Sequence, residues 1–285
     1  MPASGQTMSF TEMMQLVPHG PDTYVGAGPS YPWGGLYGGQ VVAQALRAAQ
    51  LTLRGDWYPH SLHAYFIRVG DPEEPVRFEV ERLRDGRSFA ARQVVARQSG
   101  GAILNMSASF QAPAEPTMDV QLARPPAVGP PEDGKDMSWG PLLELRLAEL
   151  ASPRPAPTAG AYHLCSWFRV AGQLGDDPWL HAAALAYASD SGPAWLVGEL
   201  HQAKYVPPLP WRPLSLDHAL WFHRRFDTSS WLLLDAEVTS LYNSRGLASG
   251  LVFSRQGELV ASVAQEVLLR RPKQAAAASS RPAAG

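Results

Sequence analysis

The chain has 285 residues, of which 45% are hydrophobic and 18% charged, and its formal net charge is −2. This is the balance of an ordinary globular protein, and with no basic stripe or charge block it argues against nucleic acid as a partner. The single cysteine, Cys165, excludes an intrachain disulfide and argues against a thiolate metal site, so a reducing, cytoplasmic setting is expected.

The N-terminal stretch "MPASGQTMSFTEMMQLV" lacks a basic region followed by an apolar run. No window reaches the roughly 18 uninterrupted apolar residues of a membrane span. The chain is therefore expected to be neither exported nor embedded, and its final residues do not form the serine-lysine-leucine peroxisomal address.

The first regular element is "GGQVVAQALRAAQLTL", in which Val41, Val42, Ala45, Leu46 and Ala49 form one helical face. It opens on Gly38-Gly39 and stops before Gly55. "PVRFEVERL", "SFAARQVVARQ" and "AILNMSASF" then read as strands joined by turns such as "RDGRS". Residues 8–111 make up this first unit.

From 112 to 160 the chain becomes rich in proline, as in "ARPPAVGPPEDGKD" and "ASPRPAPTAG", and is read as a linker with one short helical pattern, "PLLELRLAEL". The second unit, 161–271, repeats the plan of the first. "DDPWLHAAALAYASD" is its helix, with Asp176 or Asp177 as N-cap and Pro178 at the first helical position. "WLLLDAEVTSL", "GLASGLVFSRQ" and "ELVASVAQEVLL" are its strands. Residues 272–285, small and polar, are expected to be disordered.

The two units match in detail. A shift of 158 positions aligns Glu79, Val80, Leu83, Arg87, Ala90, Val94, Arg97 and Gln98 with Glu237, Val238, Leu241, Arg245, Ala248, Val252, Arg255 and Gln256, all identical. Upstream, a shift of 155 pairs His63-Ala64 with His218-Ala219. The chain is a tandem repeat of an α+β unit, each sheet wrapping one long helix.

Several catalytic signatures are missing: there is no G-x-S-x-G elbow, no H-E-x-x-H and no glycine-rich phosphate loop. The segment "LSLDHALWFHRRF" does place Ser215, Asp217 and His218 within four residues. On a regular strand Ser215 and Asp217 share one face and His218 takes the other, so these three cannot close a nucleophilic triad. His218 also has a repeat partner in His63. It is read as scaffold, so that His218→Ala should disturb stability more than turnover.

The stretches "LYGGQVVAQAL", "HSLHAYFIRVGD", "LRDGRSFAARQV", "LAYASD", "LSLDHALWFHR" and "LVASVAQE" cover both units in order. Together they resemble the acyl-CoA thioesterase II family, whose choloyl-CoA and palmitoyl-CoA hydrolases have a double hotdog fold. The resemblance implies hydrolysis of a fatty acyl-CoA by one catalytic trio in the second unit. Here the trio is Asp190 at the end of "YASD", Ser215 two positions before the "DH" pair, and Gln265 before a glutamate in the last strand. It also implies a homo-oligomer and no cofactor, and no metal is expected.

Those residue types suit the reaction. A carboxylate can take a proton from water while a hydroxyl and a carboxamide hold that water at the thioester. The helix N-terminus at Gly38, Gly39 and Gln40 is a candidate for substrate binding, with N–H groups that could face a developing oxyanion. Arg87 and Arg245 follow turns and could meet coenzyme A phosphates, but their repetition favours a structural role. Two alternatives are kept. A hotdog enoyl-CoA hydratase or dehydratase would need a histidine after Asp190, which "ASDSGPAWL" lacks; a non-catalytic acyl-CoA-binding protein would be expected to have lost one of the three residues.

Overall fold

The structure is a computed structural model, which describes residues 8–114, 118–149, 162–204 and 212–270. The tail expected to be disordered, 272–285, lies outside the described residues, as does the linker from 150 to 160.

The first half contains a short helix α1 (Phe10–Met13), strands β1 (Val17–Pro18) and β2 (Thr23–Gly26), and the long helix α2 (Gly38–Leu51). Strands β3 (Tyr58–Phe66), β4 (Val76–Asp85), β5 (Phe89–Gln98) and β6 (Gly101–Gln111) follow. Then come β7 (Lys135–Asp136), β8 (Leu143–Leu147) and β9 (Tyr162–Val170), and two consecutive helices, α3 (Pro178–Ser189) and α4 (Ser191–Lys204). The chain ends in β10 (Arg212–Ser215), β11 (Asp217–Phe222), β12 (Leu232–Tyr242), β13 (Arg245–Ser254) and β14 (Leu259–Arg270).

The periodicities behave as their sequences require. In β5, Ala90, Arg92, Val94 and Ala96 are buried and alternate with more accessible residues. Arg92 tolerates its burial because the Thr52 hydroxyl, the Arg84 and Ala91 carbonyls and the Asp85 carboxylate all accept from it. Asp177 caps α3 by accepting from the Trp179 N–H at 2.9 Å, with Pro178 in the first turn.

The strands form one antiparallel sheet in the order β1-β2-β4-β5-β6-β3-β11-β14-β13-β12-β9-β8-β7, with β10 paired to β14. The seam between halves is the β3–β11 pair, so the two sheets expected from the sequence are one continuous surface. Helix α2 packs on β4, β5 and β6, α4 on β12, β13 and β14, and α3 lies against α2. No helix among the described residues is long and apolar enough to cross a membrane.

Two expectations are corrected. "PLLELRLAEL" is not helical: Leu143–Leu147 forms β8, antiparallel to β9. Its Leu-Glu-Leu-Arg-Leu alternation is a strand period, and Glu144 pairs with Arg169 of β9 at 2.9 Å. The neighbouring Ala123, Val128 and Ala148 pack with Trp167, Trp231 and Phe253 in a second apolar cluster, so this stretch lies packed against the second half.

The second correction concerns the paired histidines. Across the seam His218 faces Ala64 and Ala219 faces His63. His218 is fully buried, whereas His63 points outward and its ring meets Trp221 edge-on at 5.0 Å. The matched histidines lie on opposite faces, because a one-residue offset in strand register exchanges inside for outside. Repetition therefore says nothing about the role of His218.

Candidate active site

Asp190 is the residue at which α3 ends and α4 begins, and it is 4% exposed. The N-terminus of α2, from the other half of the chain, comes directly against it. A Cβ on Gly38 would lie 2.8 Å from Asp190 Oδ2, and one on Gly39 would lie 2.3 Å from the Tyr187 carbonyl oxygen. Only glycine allows that approach. It lets the Gly39 N–H donate to the Asp190 carboxylate, at the positive end of the α2 dipole. The Gln40 side chain turns elsewhere and donates from Nε2 to Gln44 Oε1 at 3.3 Å.

Gln265 reaches the same carboxylate from β14. Its Nε2 donates to Asp190 Oδ1 at 2.9 Å and to Ser215 Oγ at 2.5 Å. The three residues lie 75 and 50 positions apart in sequence and meet in one hydrogen-bonded group. Burial raises the Asp190 pKa to about 6, against the opposing pull of the Gly39 N–H, the Gln265 amide and the Ser215 hydroxyl. Asp190 is thus ionised at neutral pH yet basic enough to accept a proton.

Ser215 owes its direction to an irregularity that the sequence does not announce. Against β14, Ser215 pairs with Val267 but Ala219 pairs with Ala264, so four steps on one strand oppose three on the other. The extra residue is the bend at Leu216, between β10 and β11. A bulge of this kind resets the alternation. Ser215 and His218 therefore turn to the same side, contrary to the regular-strand expectation, and both reach Gln265.

No serine-histidine-aspartate triad forms even so. His218 Nδ1 lies 3.1 Å from Gln265 Oε1 and its Nε2 lies 2.9 Å from Ser189 Oγ, so neither ring nitrogen is given to Ser215. Asp217 points to the backbone, where its Oδ1 accepts from the Glu266 N–H at 2.6 Å. That carboxylate supplies a partner for an amide at the bulge. Asp217→Ala should therefore destabilise the fold by about 1 kcal/mol, the low end of the cost of an unsatisfied donor because the bond is only partly buried, while Asp217→Asn keeps an acceptor and should cost less. Equilibrium urea unfolding distinguishes the two, and equal losses would show that the acceptor is irrelevant.

Next to this group lies an aromatic cluster. Tyr37, the residue preceding α2, donates its hydroxyl to the Tyr187 carbonyl at 2.7 Å, and its ring meets Tyr187 at 4.9 Å and Trp139 at 5.0 Å. A cavity of about 350 Å³ opens beside it, lined among others by Tyr31, Pro32, Trp139, Pro141, Leu142 and Tyr187. Tyr187 stands one turn before Asp190 on α3. Trp139 and its neighbours come from the Pro-rich stretch, whose sequence carries no motif that would place it at the site. Arg245 is engaged by Glu266 at 3.1 Å, and Arg87 is exposed. Among the described residues no cluster of three or more His, Cys, Asp or Glu could hold a metal ion.

Residues 28–111 match the family described as "Acyl-CoA thioesterase N-terminal domain", and residues 120–269 match "Acyl-CoA thioesterase C-terminal domain". The chain is 33% identical to acyl-coenzyme A thioesterase 8 of Homo sapiens over 94% of this chain and 91% of that one. Among solved structures it is similar to acyl-CoA thioesterase II TesB2 from Mycobacterium marinum, with a TM-score of 0.80, 37% identity, and coverage of 93% of this chain and 98% of the other. A protein with a hotdog fold from Alicyclobacillus acidocaldarius, 20% identical with a TM-score of 0.68, covers 92% of this chain and 98% of its own, and shares the fold.

Proposed function

The chain belongs to the acyl-CoA thioesterase II family of thioester hydrolases, and from that premise we propose that it hydrolyses fatty acyl-CoA by water attack directed by Asp190, Ser215 and Gln265. The observation that carries this reading is the meeting of these three distant residues in one buried group, with the Asp190 pKa pushed up to about 6. Ser215 Oγ, held in place by the Gln265 Nε2 donor, orients a water whose oxygen attacks the thioester carbonyl as its proton passes to the Asp190 carboxylate. The tetrahedral adduct then collapses with cleavage of the C–S bond. The departing thiol resembles cysteine, with a pKa of about 8.5, so it leaves as thiolate without strong acid assistance and then takes up a proton. No cofactor enters, and no covalent acyl-enzyme forms.

The N-terminus of α2 holds the general base through Gly39, which makes the first half part of the site. Gly38 and Gly39 border the position of the reacting carbonyl; Gln40 serves the packing behind them. Two features weigh against the hydratase alternative: both imidazole nitrogens of His218 are within hydrogen-bond distance of protein side chains, and the ring is fully buried. The exposed Tyr65, Ile67 and Trp221 on the outer face near the β3–β11 seam support a homo-oligomer, and the single cysteine, Cys165, fits a cytoplasmic setting.

The apolar lining of the cavity beside Tyr187 suits the acyl chain. Each buried methylene is worth about 0.8 kcal/mol, roughly fourfold in affinity, so the reach of this space sets chain-length preference. Thiol release measured over saturated acyl-CoAs of increasing length tests the function directly, and no release from any of them would favour the binding-protein reading. Trp139→Ala should raise kcat/KM for the longer substrates relative to the shorter ones by at least about fourfold, one methylene's worth. An unchanged profile would place the acyl chain elsewhere.

A further inference from the structure

Gln265 presents a problem that the three catalytic residues do not solve among themselves. The two ends of a carboxamide are nearly the same size, but one donates and the other accepts. If Oε1 faced the ionised Asp190, two acceptors would meet at 2.9 Å, and Ser215 Oγ would lose its amide donor. A group behind the amide has to decide which end points forward.

His218 is that group by position. It is fully buried, on the interior face of β11, with its Nδ1 3.1 Å from Gln265 Oε1. Its other nitrogen, Nε2, lies 2.9 Å from the hydroxyl of Ser189, the residue before Asp190. We propose that His218 is a positioning residue which, held by Ser189 as the Nδ1–H tautomer, donates to Gln265 Oε1 and so fixes the amide with Nε2 toward Asp190 and Ser215. This rests on the water-directing role given above to Asp190, Ser215 and Gln265.

The hydrogen bonds are mutually consistent in only one sense. A neutral imidazole carries one N–H. If it sits on Nδ1 it serves the carbonyl oxygen of Gln265, and Nε2 is left as an acceptor for the Ser189 O–H. Moving the proton to Nε2 would place two lone pairs face to face across the 3.1 Å contact unless the amide turned over, and the turned amide would present its oxygen to the Asp190 carboxylate. Burial keeps the ring neutral, with its pKa lowered to about 4, so at neutral pH the two tautomers are the only choice to be made. The line Ser189–His218–Gln265 thus starts and ends at the neighbourhood of Asp190.

A scaffold histidine would be replaceable by anything of similar volume; a positioning histidine is not, and its bonds to Ser189 and Gln265 reverse the expectation from sequence that a His218 variant would spare turnover. His218→Leu fills the space without a donor, and should lower kcat roughly 10- to 100-fold, the scale of a misplaced catalytic group, with KM changed less than about threefold. His218→Asn can place an N–H near the position of Nδ1 and should recover most of the loss. In the double variant His218→Leu/Gln265→Leu the loss should equal that of Gln265→Leu alone, because His218 acts through the amide. Nitrogen-15 shifts of the full-length protein at neutral pH should report the Nδ1–H tautomer for His218.

The outcomes separate cleanly. An Nε2–H tautomer, multiplicative losses in the double variant, or a His218→Asn variant no better than His218→Leu would each overturn the proposal while leaving the three catalytic residues untouched. If Gln265→Leu turned over acyl-CoA at the wild-type rate, the catalytic reading itself would fall, and the role of His218 in turnover with it. Should His218→Leu fail to fold, the tautomer measurement and the His218→Asn kinetics still decide.

Discussion

Asp190→Asn is expected to lower kcat at least about 100-fold, the lower end of what a positioned general base contributes. The asparagine keeps the shape of the side chain and an oxygen for the Gly39 N–H, but its carboxamide cannot take a proton from water. Wild-type kcat should fall below a limb near pH 6, where the buried carboxylate takes up its proton, and should be flat above it. The variant's residual rate should lack that limb. Wild-type turnover by Asp190→Asn would remove Asp190 from the reaction.

The same carboxylate leaves a mark on stability, and the sign follows from linkage. Its folded-state pKa, about 6, lies above the unfolded value of 3.8, so the folded protein binds this proton more tightly. The corresponding stability is present below about pH 4 and is lost as pH rises through 6. Between pH 5 and 7 this amounts to a decline on the order of 1 kcal/mol, which Asp190→Asn should lack and which should therefore appear as the difference between the two proteins. A carboxylate that opposes folding at the working pH is a common cost of function, and the catalytic role proposed for Asp190 accounts for it.

Elements with a strict period could be read from the chain itself. The strands from β4 to β6 and from β12 to β14, the helix begun by Gly38 and the Asp177-Pro178 start of α3 all announce themselves by alternation or capping. What escaped was set by tertiary context. Helix α4 begins with "SGP", which reads as a turn, although proline in a first helical turn loses no hydrogen bond. "PLLELRLAEL" carries good helix formers laid over a strand period, and its pairing along β9 settles the choice in favour of the strand. At the site, the identities of Asp190, Ser215 and Gln265 could be carried over from motifs, but the company of His218 could not. A single extra residue at Leu216 decides which way His218 faces, and β14 decides where that extra residue sits.

Gln265→Glu should be as damaging as removal of the base, for a different reason. The substitution replaces the Nε2 donor with a carboxylate oxygen where Asp190 Oδ1 now accepts at 2.9 Å. Two carboxylates that close, in a buried setting, cannot both ionise; the pair retains one proton well into the range where Asp190 alone would be free. Water then meets a base already occupied, and Ser215 Oγ has lost its amide donor. At pH 7 kcat should drop at least about 100-fold, the general-base scale again. Unlike Asp190→Asn, the variant should recover activity as pH rises, because its second proton can be removed: the limb moves upward from about 6 instead of vanishing. Gln265→Leu separates the parts, since it removes the donor without adding a charge and should show a loss of kcat with no such recovery. An unshifted limb in Gln265→Glu would mean that the amide and Asp190 are not coupled in the working enzyme. That result would contradict the hydrogen bond between them.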